Sequence, residues 1–352
     1  MEPFVYQGLP SRVVFGVGSL DQLEREIALL GAQRAVVLST PQQRAQAEQL
    51  AERLGSRGAG VYAQAVMHVP VETARAARDY AARVGADCAI AIGGGSTTGL
   101  GKAIALETSL PIIAIPTTYA GSEMTPIYGL TDAGVKKTGR DLRVLPKTVI
   151  YDPALTVSLP PALSLTSGIN AIAHAAEGLY AQDANPIMSL MAEEGIRALG
   201  EGLPRVIAKA DDLDARSACL YGAWLCGAVL GSVGMSLHHK LCHTLGGTFN
   251  LPHAETHTIV LPHVLAYNRV AAPHAMQRIA RALHAHDAAQ AVFDLARDNG
   301  APTALKDIGM TEADIDVALN LASKSPYWNP RAVEREPLRA LLQHAYEGRR
   351  PN

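Results

Sequence analysis

Six of the 12 histidines lie close together in the segment 238–263, HHKLCHTLGGTFNLPHAETHTIVLPH. His239 and His243 are four residues apart, so on a helix their side chains share one face. His253 follows two glycines and a proline, which indicates a turn leading into a further element. Imidazoles that converge in this way bind metal ions or transfer protons. The cluster therefore predicts a metal site or a proton-transfer site, although each histidine taken alone would be an ordinary polar residue.

The segment GINAIAHA places a second polar pair, Asn170 and His174, four residues apart on one helical face. For this segment alone, a pair that satisfies itself inside a core is the alternative. Together with His239, His243 and His253, the pair predicts a polar cavity lined from several helices.

A glycine-rich turn of Gly93, Gly94, Gly95 and Ser96 follows the apolar run 88–92, CAIAI, and precedes a helical segment. Parallel sheets bind ligands at the carboxyl ends of their strands. Glycines there let the backbone approach a phosphate, whose charge the free N–H groups and the helix dipole stabilise. The pattern is not the GxGxxG fingerprint, and a plain turn is the alternative.

A second loop, 116–123 (PTTYAGSE), follows the next strand on the same edge of the sheet. Its hydroxyl groups suit contacts with phosphate and ribose and belong to Thr117, Thr118 and Ser122. Two such loops predict a dinucleotide site.

The loop after the strand 35–39, AVVLS, bears on which dinucleotide is bound. Sites that select NADH usually place an acidic residue there to bind the ribose 2′-hydroxyl. Ser39, at the end of this strand and expected to contact the cofactor, is followed by TPQQR, which contains no acid. Nothing there repels a 2′-phosphate, and Arg44 would help to bind one. We therefore expect NADPH to be accepted along with NADH.

Two kinds of hydrophobic pattern divide the chain into an α/β half and a helical half. Strands are expected at 12–15, 35–39, 61–67, 88–92, 112–116 and 149–152, and helices between them at 41–54 and 72–84. After Asp152 only helical periodicity remains, at 163–181, 188–210, 214–237, 272–284 and 288–299. The pattern predicts a dinucleotide-binding domain with a mostly parallel sheet in residues 1–153, and an all-helical substrate and catalytic domain in residues 154–352.

Composition and charge argue against several classes of partner. The net charge is −2 without basic blocks, so nucleic acid is not expected to bind. The four cysteines lie in apolar segments without CxxC spacing, which indicates free thiols in a reducing compartment. The uncharged stretch 217–237 is rich in glycine and alanine, which favours a buried helix over a membrane span. We expect a cytoplasmic protein without a signal peptide or membrane contact, and a homodimer by default.

The same segments, taken in order, resemble the motifs of the iron-containing (group III) alcohol dehydrogenase superfamily: GGGS with KAIA, IPTT and GSE, GINAIAHAAEG, and HHKLCHTLGGTFNLPHAETH with LPHV. The resemblance covers nearly the whole chain. It implies a dehydroquinate synthase-like architecture, in which a dinucleotide-binding α/β domain and an all-α domain enclose the active site. It also implies NADH or NADPH as cofactor with Lys137 nearby, although a solvated charge is the alternative for this lysine.

The chain departs from that superfamily at its metal site. The typical ligands are one aspartate and three histidines, and the matching positions here are Asn170, His174, His239 and His253, with His243 as a further histidine of the cleft. An asparagine carbonyl is neutral, and it is a weaker donor to a divalent cation than a carboxylate. No metal is therefore expected. Gly99 is a second departure, where the pattern GGGSxxD usually carries an acid.

The chain resembles the branch of the superfamily that reduces maleylacetate. The resemblance rests on these two departures and on the segments MHVPVE at 67–72 and IPTTYAGSEMTPIYGLT. The resemblance implies reduction of the carbon–carbon double bond of maleylacetate, and of its chlorinated forms, to 3-oxoadipate. It also implies a reaction without a metal, in the bacterial degradation of aromatic compounds.

Roles follow for the polar residues if this resemblance holds. We expect His243 and His253 to form the electrophile and proton-donor pair. The other polar residues of the cavity would orient the dicarboxylate substrate: Asn170, His174 and His239. Tyr119 would face the nicotinamide or the substrate, with a packing role as the alternative.

Two other functions fit parts of the sequence. A metal-dependent alcohol dehydrogenase of the same fold would hold iron or zinc on three histidines, with Asn170 as a weak fourth ligand. A non-catalytic sensor would bind the dinucleotide, but it has no need of proton donors. The remaining histidines of the cluster are interpreted as structural: His238, His257 and His263.

Overall fold

The computed structural model describes residues 4–132, 135–324 and 327–352. Contacts along the chain group residues 8–158 into one compact unit and residues 159–352, with residues 4–7, into another. The division of function between residues 1–153 and 154–352 stays a prediction.

The first unit, the α/β unit, alternates strands with helices. Its strands are β1 (Arg12–Phe15), β2 (Ala35–Leu38), β3 (Gly58–Tyr62), β4 (Cys88–Gly93), β5 (Ile112–Pro116), β6 (Ile127–Asp132), β7 (Val135–Arg140) and β8 (Thr148–Tyr151). Its helices are α1 (Leu23–Leu29), α2 (Arg44–Arg53), α3 (Val71–Arg83) and α4 (Gly95–Thr108).

Six of these strands form one parallel sheet in the order β1-β8-β5-β4-β2-β3. Alternate residues of β2 enter two separate cores: Val37 packs with residues of α1 and α2, whereas Val36 and Leu38 pack with residues of α3 and α4. A strand covered on both faces is a continuous apolar run, as predicted. The predicted fold class is confirmed.

The order of the sheet reverses between β2 and β4. From β2 the chain continues to β3 on one side, and from β4 it continues to β5 on the other. The carboxyl ends of β2 and β4 therefore flank the crevice in which open α/β sheets bind ligands.

The predicted strand at 61–67 is wrong in position, because β3 begins at Gly58 and ends five residues before the predicted end. Two glycines weakened the strand pattern of the sequence. Both are required for close packing. A Cβ on Gly58 would lie 2.5 Å from the carbonyl oxygen of Ala51, and one on Gly60 would lie 2.4 Å from the hydroxyl of Tyr80.

An antiparallel hairpin of β6 and β7 forms a second sheet that the sequence pattern did not predict. The residues of β6 are only half-buried, so they lack the alternation of a strand that covers a core. Thr131 in β6 donates through its hydroxyl to the carbonyl oxygen of His68 (2.8 Å) and through its N–H to that of Val69 (3.1 Å). His68 and Val69 have φ of 66° and 44°. The hairpin thus stabilises a strained turn before α3.

The second unit, the helical unit, contains no strand among its described residues. Its helices are α5 (Pro161–Leu179), α6 (Pro186–Ala208), α7 (Leu213–Ser232), α8 (Leu237–Phe249), α9 (His253–Asn268), α10 (Pro273–Ala282), α11 (Ala288–Asp298), α12 (Asp314–Ala322) and α13 (Arg335–Glu347).

The single helix predicted at 214–237 is wrong: α7 ends at Ser232, and α8 begins at Leu237 after a bend of 97°. Within the described ranges, no individual helix combines the length and apolarity needed to cross a membrane. The bent pair of α7 and α8 meets that criterion jointly, by length and composition alone.

Small residues let α5, α6 and α7 pack closely. A Cβ on Gly222 of α7 would lie 2.8 Å from the carbonyl oxygen of Gly195 in α6. A Cβ on Gly178 of α5 would lie 2.2 Å from a methyl carbon of Val229 in α7. Gly222 of the uncharged stretch therefore serves the packing of α7 on α6, and Gly178 lets α5, which carries the predicted polar pair, pack against α7.

One buried histidine makes the stability of the helical unit depend on pH. His263 in α9 is 4% exposed, and burial, with a smaller effect of His344, lowers its pKa to about 3. Between pH 6.5 and 3 the unfolded chain binds a proton there that the folded chain does not, so stability falls as pH falls. In His263→Gln, the loss of unfolding free energy from pH 7 to pH 5 should be smaller by about 2 kcal/mol.

Urea unfolding of both proteins at the two pH values measures this difference. His274→Gln is the matched control, because it removes an exposed histidine of the same unit. An equal pH dependence in the wild type and in His263→Gln would contradict a neutral, buried His263.

Candidate active site

Three polar residues lie along one side of the buried helix α5. Asn170, His174 and Glu177 follow at intervals of four and three residues, so they share one face. Asn170 and His174 are each 4% exposed, and Glu177 is fully buried. Polar groups removed from water in this way need partners inside the protein.

These residues and His239 of α8 form a continuous set of contacts, here called the polar chain (Asn170, His174, His239 and Glu177). Asn170 Nδ2 lies 3.5 Å from His174 Nε2. His174 Nδ1 lies 2.9 Å from His239 Nε2, and His239 Nδ1 lies 2.7 Å from Glu177 Oε2. The structure thus brings together three of the predicted site residues and adds an acid.

Glu177 also receives the start of α8. Its carboxylate accepts hydrogen bonds of 2.8 Å from the backbone N–H groups of Ser236 and His238. A carboxylate at this position satisfies helix N–H groups and complements the positive end of the helix dipole. No role was predicted for Glu177, although a lone acid in the apolar segment GINAIAHAAEG was a signal for a buried charge.

The proposed donor pair lies at exposed positions near the polar chain. His243 is one turn after His239 on α8, with the two ring centroids 6.2 Å apart. His253 is the first residue of α9, and its ring centroid lies 4.4 Å from that of His257. Both side chains are therefore accessible, which proton donors to a substrate require.

A second pair of histidines lies deeper. His238 Nε2 is 2.9 Å from His257 Nδ1, and Cys242 Sγ is 3.6 Å from His238 Nε2. Burial lowers the pKa of both histidines well below their usual value, so they are neutral. The donor atoms of these three residues lie within 4.8 Å of one another, which is close enough to hold a metal ion. The two imidazoles are nevertheless bonded to each other.

The glycine turn lies where β4 ends and α4 begins. A Cβ on Gly93 would lie 2.5 Å from the Thr97 hydroxyl and 2.8 Å from Gln43 Oε1. A Cβ on Gly94 would lie 2.9 Å from a methyl carbon of Thr118. Only glycine fits at either position, and the helix N-terminus is left open to a phosphate. The turn continues through Gly95 and Ser96, which form the first turn of α4.

Side chains from the three neighbouring strand ends meet at this turn. Gln43 Nε2 donates to the Thr117 hydroxyl (3.0 Å), and the Thr117 N–H donates to the carbonyl oxygen of Gly93 (3.0 Å). The hydroxyl of Thr97 is buried and has no partner among the described residues. Ser39 is fully buried, and its hydroxyl donates to the carbonyl oxygen of Thr40. This arrangement at the reversal of strand order suits a dinucleotide.

Ser122 is held by a buried lysine for which no role was predicted. Lys102 Nζ donates to the carbonyl oxygens of Ser122 (2.6 Å) and Ile127 (2.7 Å) and to the hydroxyls of Ser122 and Thr125. Burial lowers the pKa of Lys102 to about 7, against the opposing effect of Glu123. The lysine fixes the loop 116–123 to α4, so Ser122 contributes to loop geometry.

Three other predicted features have clear positions. Tyr119 is fully buried, which favours its packing role. Lys137 is exposed in β7 and pairs with Asp132 at 3.1 Å, as a solvated charge does. A Cβ on Gly99 would lie 2.9 Å from a methyl carbon of Val69, so the strained turn before α3 fills the space that an acid would need.

Replacement of Gly93 tests the dinucleotide site. In Gly93→Ala the new methyl overlaps Thr97 and Gln43, and φ of 149° strains any residue with a Cβ. We expect affinity for NADH and NADPH to fall at least ~10-fold, and stability to fall by about 1–3 kcal/mol. Fluorescence titration and thermal unfolding measure both.

Gly101→Ala is the matched control, because a Cβ there has only ordinary contacts at 3.6 Å. It should bind both dinucleotides as the wild type does. If the Gly93→Ala and Gly101→Ala proteins bind the dinucleotides with equal affinity, the cofactor does not bind at this turn.

Two family models match the chain: iron-containing alcohol dehydrogenase over residues 10–153, and the C-terminal part of the Fe-containing alcohol dehydrogenase family over residues 164–346. The chain is 62% identical to a maleylacetate reductase of Burkholderia cepacia over the full length of both. Its structure matches crystal structures of maleylacetate reductase from Agrobacterium tumefaciens (TM-score 0.97, 55% identity, 100% of both chains) and of an iron-containing alcohol dehydrogenase from Corynebacterium glutamicum (TM-score 0.96, 44% identity, 100% of this chain and 99% of that one).

These matches confirm the resemblance that the sequence motifs carried. They cover both units, and they include relatives far above the identity at which family membership is secure. The chain belongs to the iron-containing alcohol dehydrogenase family.

Proposed function

We propose that the protein reduces maleylacetate to 3-oxoadipate with NADH or NADPH, without using a metal. The full-length identity of 62% to a named maleylacetate reductase supports the substrate. The observation that carries the proposal is the polar chain, in which Asn170 stands where the family usually has an acidic ligand. Its amide joins a hydrogen-bonded set instead of supplying a negative charge to a cation.

Hydrogen bonds within the polar chain occupy the donor atoms that a divalent cation would need. A cation needs lone pairs directed at one point, with ligand distances of about 2.0–2.2 Å for nitrogen and oxygen. Here His239 Nε2 and His174 Nδ1 are 2.9 Å apart, and they face each other as a hydrogen-bonded pair. Asn170 supplies no charge. No step of the proposed reaction therefore passes through a metal.

The substrate defines what the protein must provide. Maleylacetate is a dianion whose carbon–carbon double bond is conjugated to a ketone. When bound, the reduced nicotinamide supplies a hydride to the alkene carbon β to that ketone. Negative charge then develops on the ketone oxygen, and the carbon α to the ketone must receive a proton. An N–H donor near the oxygen and a proton donor near the carbon are needed.

His243 and His253 are proposed for these two tasks. Both are exposed imidazoles, His243 one helical turn after His239 and His253 beside His257, and each can donate through a ring N–H. His253 begins α9, whose N-terminal N–H groups and dipole also favour an anion. Asn170, His174 and His239 are proposed to orient the dicarboxylate indirectly, as the polar chain beside this pair, because the ring nitrogens of both histidines already bond within that chain.

The α/β unit supplies the proposed dinucleotide site. Gly93, Gly94 and the N-terminus of α4 would hold the pyrophosphate, and Thr117 and Thr118 would contact the cofactor. The loop after β2 contains no acid, and Arg44 begins α2 there. Acceptance of both NADH and NADPH is therefore proposed.

The proposed setting follows from the family. The reaction would be a late step in the bacterial degradation of aromatic compounds, in the cytoplasm, by a homodimer. These statements rest on the resemblance, together with the buried free thiols Cys88, Cys219, Cys226 and Cys242.

Oxidation of NADH in the presence of maleylacetate tests the activity, with the product identified by NMR. A dinucleotide deuterated at the transferring carbon should label the former alkene carbon β to the ketone. Reduction of the ketone to an alcohol, or no oxidation of NADH, would contradict the proposal.

His253→Ala tests the proposed pair of His243 and His253. Turnover should fall ~10²–10⁴-fold, because one general acid contributes about that much. Dinucleotide affinity should be retained, since the proposed binding residues belong to the other unit. His274→Ala is the control, because His274 is an exposed histidine of the same unit and should turn over normally. Near-normal turnover of maleylacetate by His253→Ala would show that His253 is not a donor in the reaction.

A further inference from the structure

A buried carboxylate that the proposed reaction does not use lies at one end of the polar chain. Glu177 accepts from the backbone N–H groups of Ser236 and His238 and lies 2.7 Å from His239 Nδ1. Both oxygens of Glu177 accept from backbone N–H groups, so the side chain acts as an acceptor towards His239 as well. His239 therefore carries a proton on Nδ1, and in its neutral form it has a lone pair on Nε2.

The direction of the other bonds follows from that proton. His174 Nδ1 lies 2.9 Å from the lone pair of His239 Nε2, so His174 donates there. Neutral His174 then has its own lone pair on Nε2, and Asn170 turns its amide N–H towards it at 3.5 Å. Every bond of the polar chain thus points from Asn170 to Glu177.

The same direction accounts for an unpaired acceptor on Asn170, the first member of the chain. With its N–H groups turned to His174, Asn170 must turn its carbonyl oxygen away from it. That oxygen is buried, and it has no partner among the described residues. An unpaired buried acceptor costs free energy unless something else requires its orientation. The requirement here is the lone pair on His174 Nε2.

We propose that Glu177 is a positioning residue that sets the direction of the polar chain and so fixes the tautomers of His239 and His174. Its catalytic part rests on the proposed reduction of maleylacetate and adds the residue that orients the histidines. The identities at positions 177 and 170 are then coupled. In the hydrogen-bonded arrangement of the polar chain, a carboxylate at 177 requires a donor at 170, because an aspartate there would face the lone pair of His174.

The tautomers themselves are measurable in the wild-type protein. In ¹⁵N-histidine-labelled protein, with His174 and His239 assigned by His174→Gln and His239→Gln, both rings should carry their proton on Nδ1. Free imidazoles in water favour the Nε2 proton, so this result is not the default. A proton on Nε2 of either neutral ring would overturn the proposal.

Coupling between the two ends gives the catalytic test. In Glu177→Gln the amide can donate to His239 Nδ1, which reverses the chain, and kcat should fall at least ~10²-fold, as expected for a wrong tautomer. Asn170→Asp alone should also be harmful. In the double variant the aspartate can accept from His174, so kcat should recover at least ~10-fold over Glu177→Gln. A double variant no more active than Glu177→Gln would overturn the proposal.

A structural role alone would not produce this recovery, because two independent lesions add. Glu123→Gln is the matched control: Glu123 is also a buried carboxylate, but it bonds to Tyr151 outside the polar chain. Its effect should add to that of Asn170→Asp without recovery. All assays contain EDTA, so that a metal ion bound by the new carboxylate of Asn170→Asp does not contribute to the comparison.

The proposed function and the proposed direction of the polar chain can be rejected by different experiments. Absence of maleylacetate turnover in the wild type would reject the proposed function, while the ¹⁵N spectrum, which needs no substrate, would still decide the direction of the chain. The same spectrum decides the matter if Glu177→Gln does not fold.

Discussion

The buried carboxylate of Glu177 is the interaction on which the polar interior of the helical unit depends. The helical conformation is interrupted between α7 and α8, so α8 begins inside the protein. The first N–H groups of such a helix have no partners within the helix itself. Glu177 supplies acceptors to three backbone N–H groups at this helix start, those of Ser236, His238 and His239, and to the His239 ring. One side chain therefore joins α5 to α8, compensates the break and orients the first histidine of the proposed site.

The two units hold their proposed ligands by different physical means. In the α/β unit the constraint is steric: glycine is the only residue type that fits at positions 93 and 94, beside Thr97 and Thr118, so the backbone itself forms the cradle. In the helical unit the constraint is directional: buried imidazoles must match donors to acceptors through the polar chain. The first arrangement is proposed to accept both NADH and NADPH, whereas in the second each group depends on its hydrogen-bond partner.

The sequence predicted what local patterns determine. Continuous apolar runs indicated the parallel sheet, and the spacing of Asn170 and His174 indicated their shared face. It did not predict features that depend on distant contacts. The predicted position of β3 was wrong because its two glycines are required by packing against α2 and α3. Glu177 had no predicted role because its partners lie about 60 residues later in the sequence. The absence of an acid at Gly99 was visible, but its reason, the methyl group of Val69, was not.

The most direct test of the central claim is turnover of maleylacetate by protein whose metal content is measured in the same sample. After exhaustive treatment with chelator, the account predicts full kcat at far less than one equivalent of iron, zinc or any other transition metal. Activity that disappears with the metal and returns in proportion to added zinc or iron would contradict it. Three histidines would then hold a cation in spite of Asn170, and the polar chain would have to open to bind it.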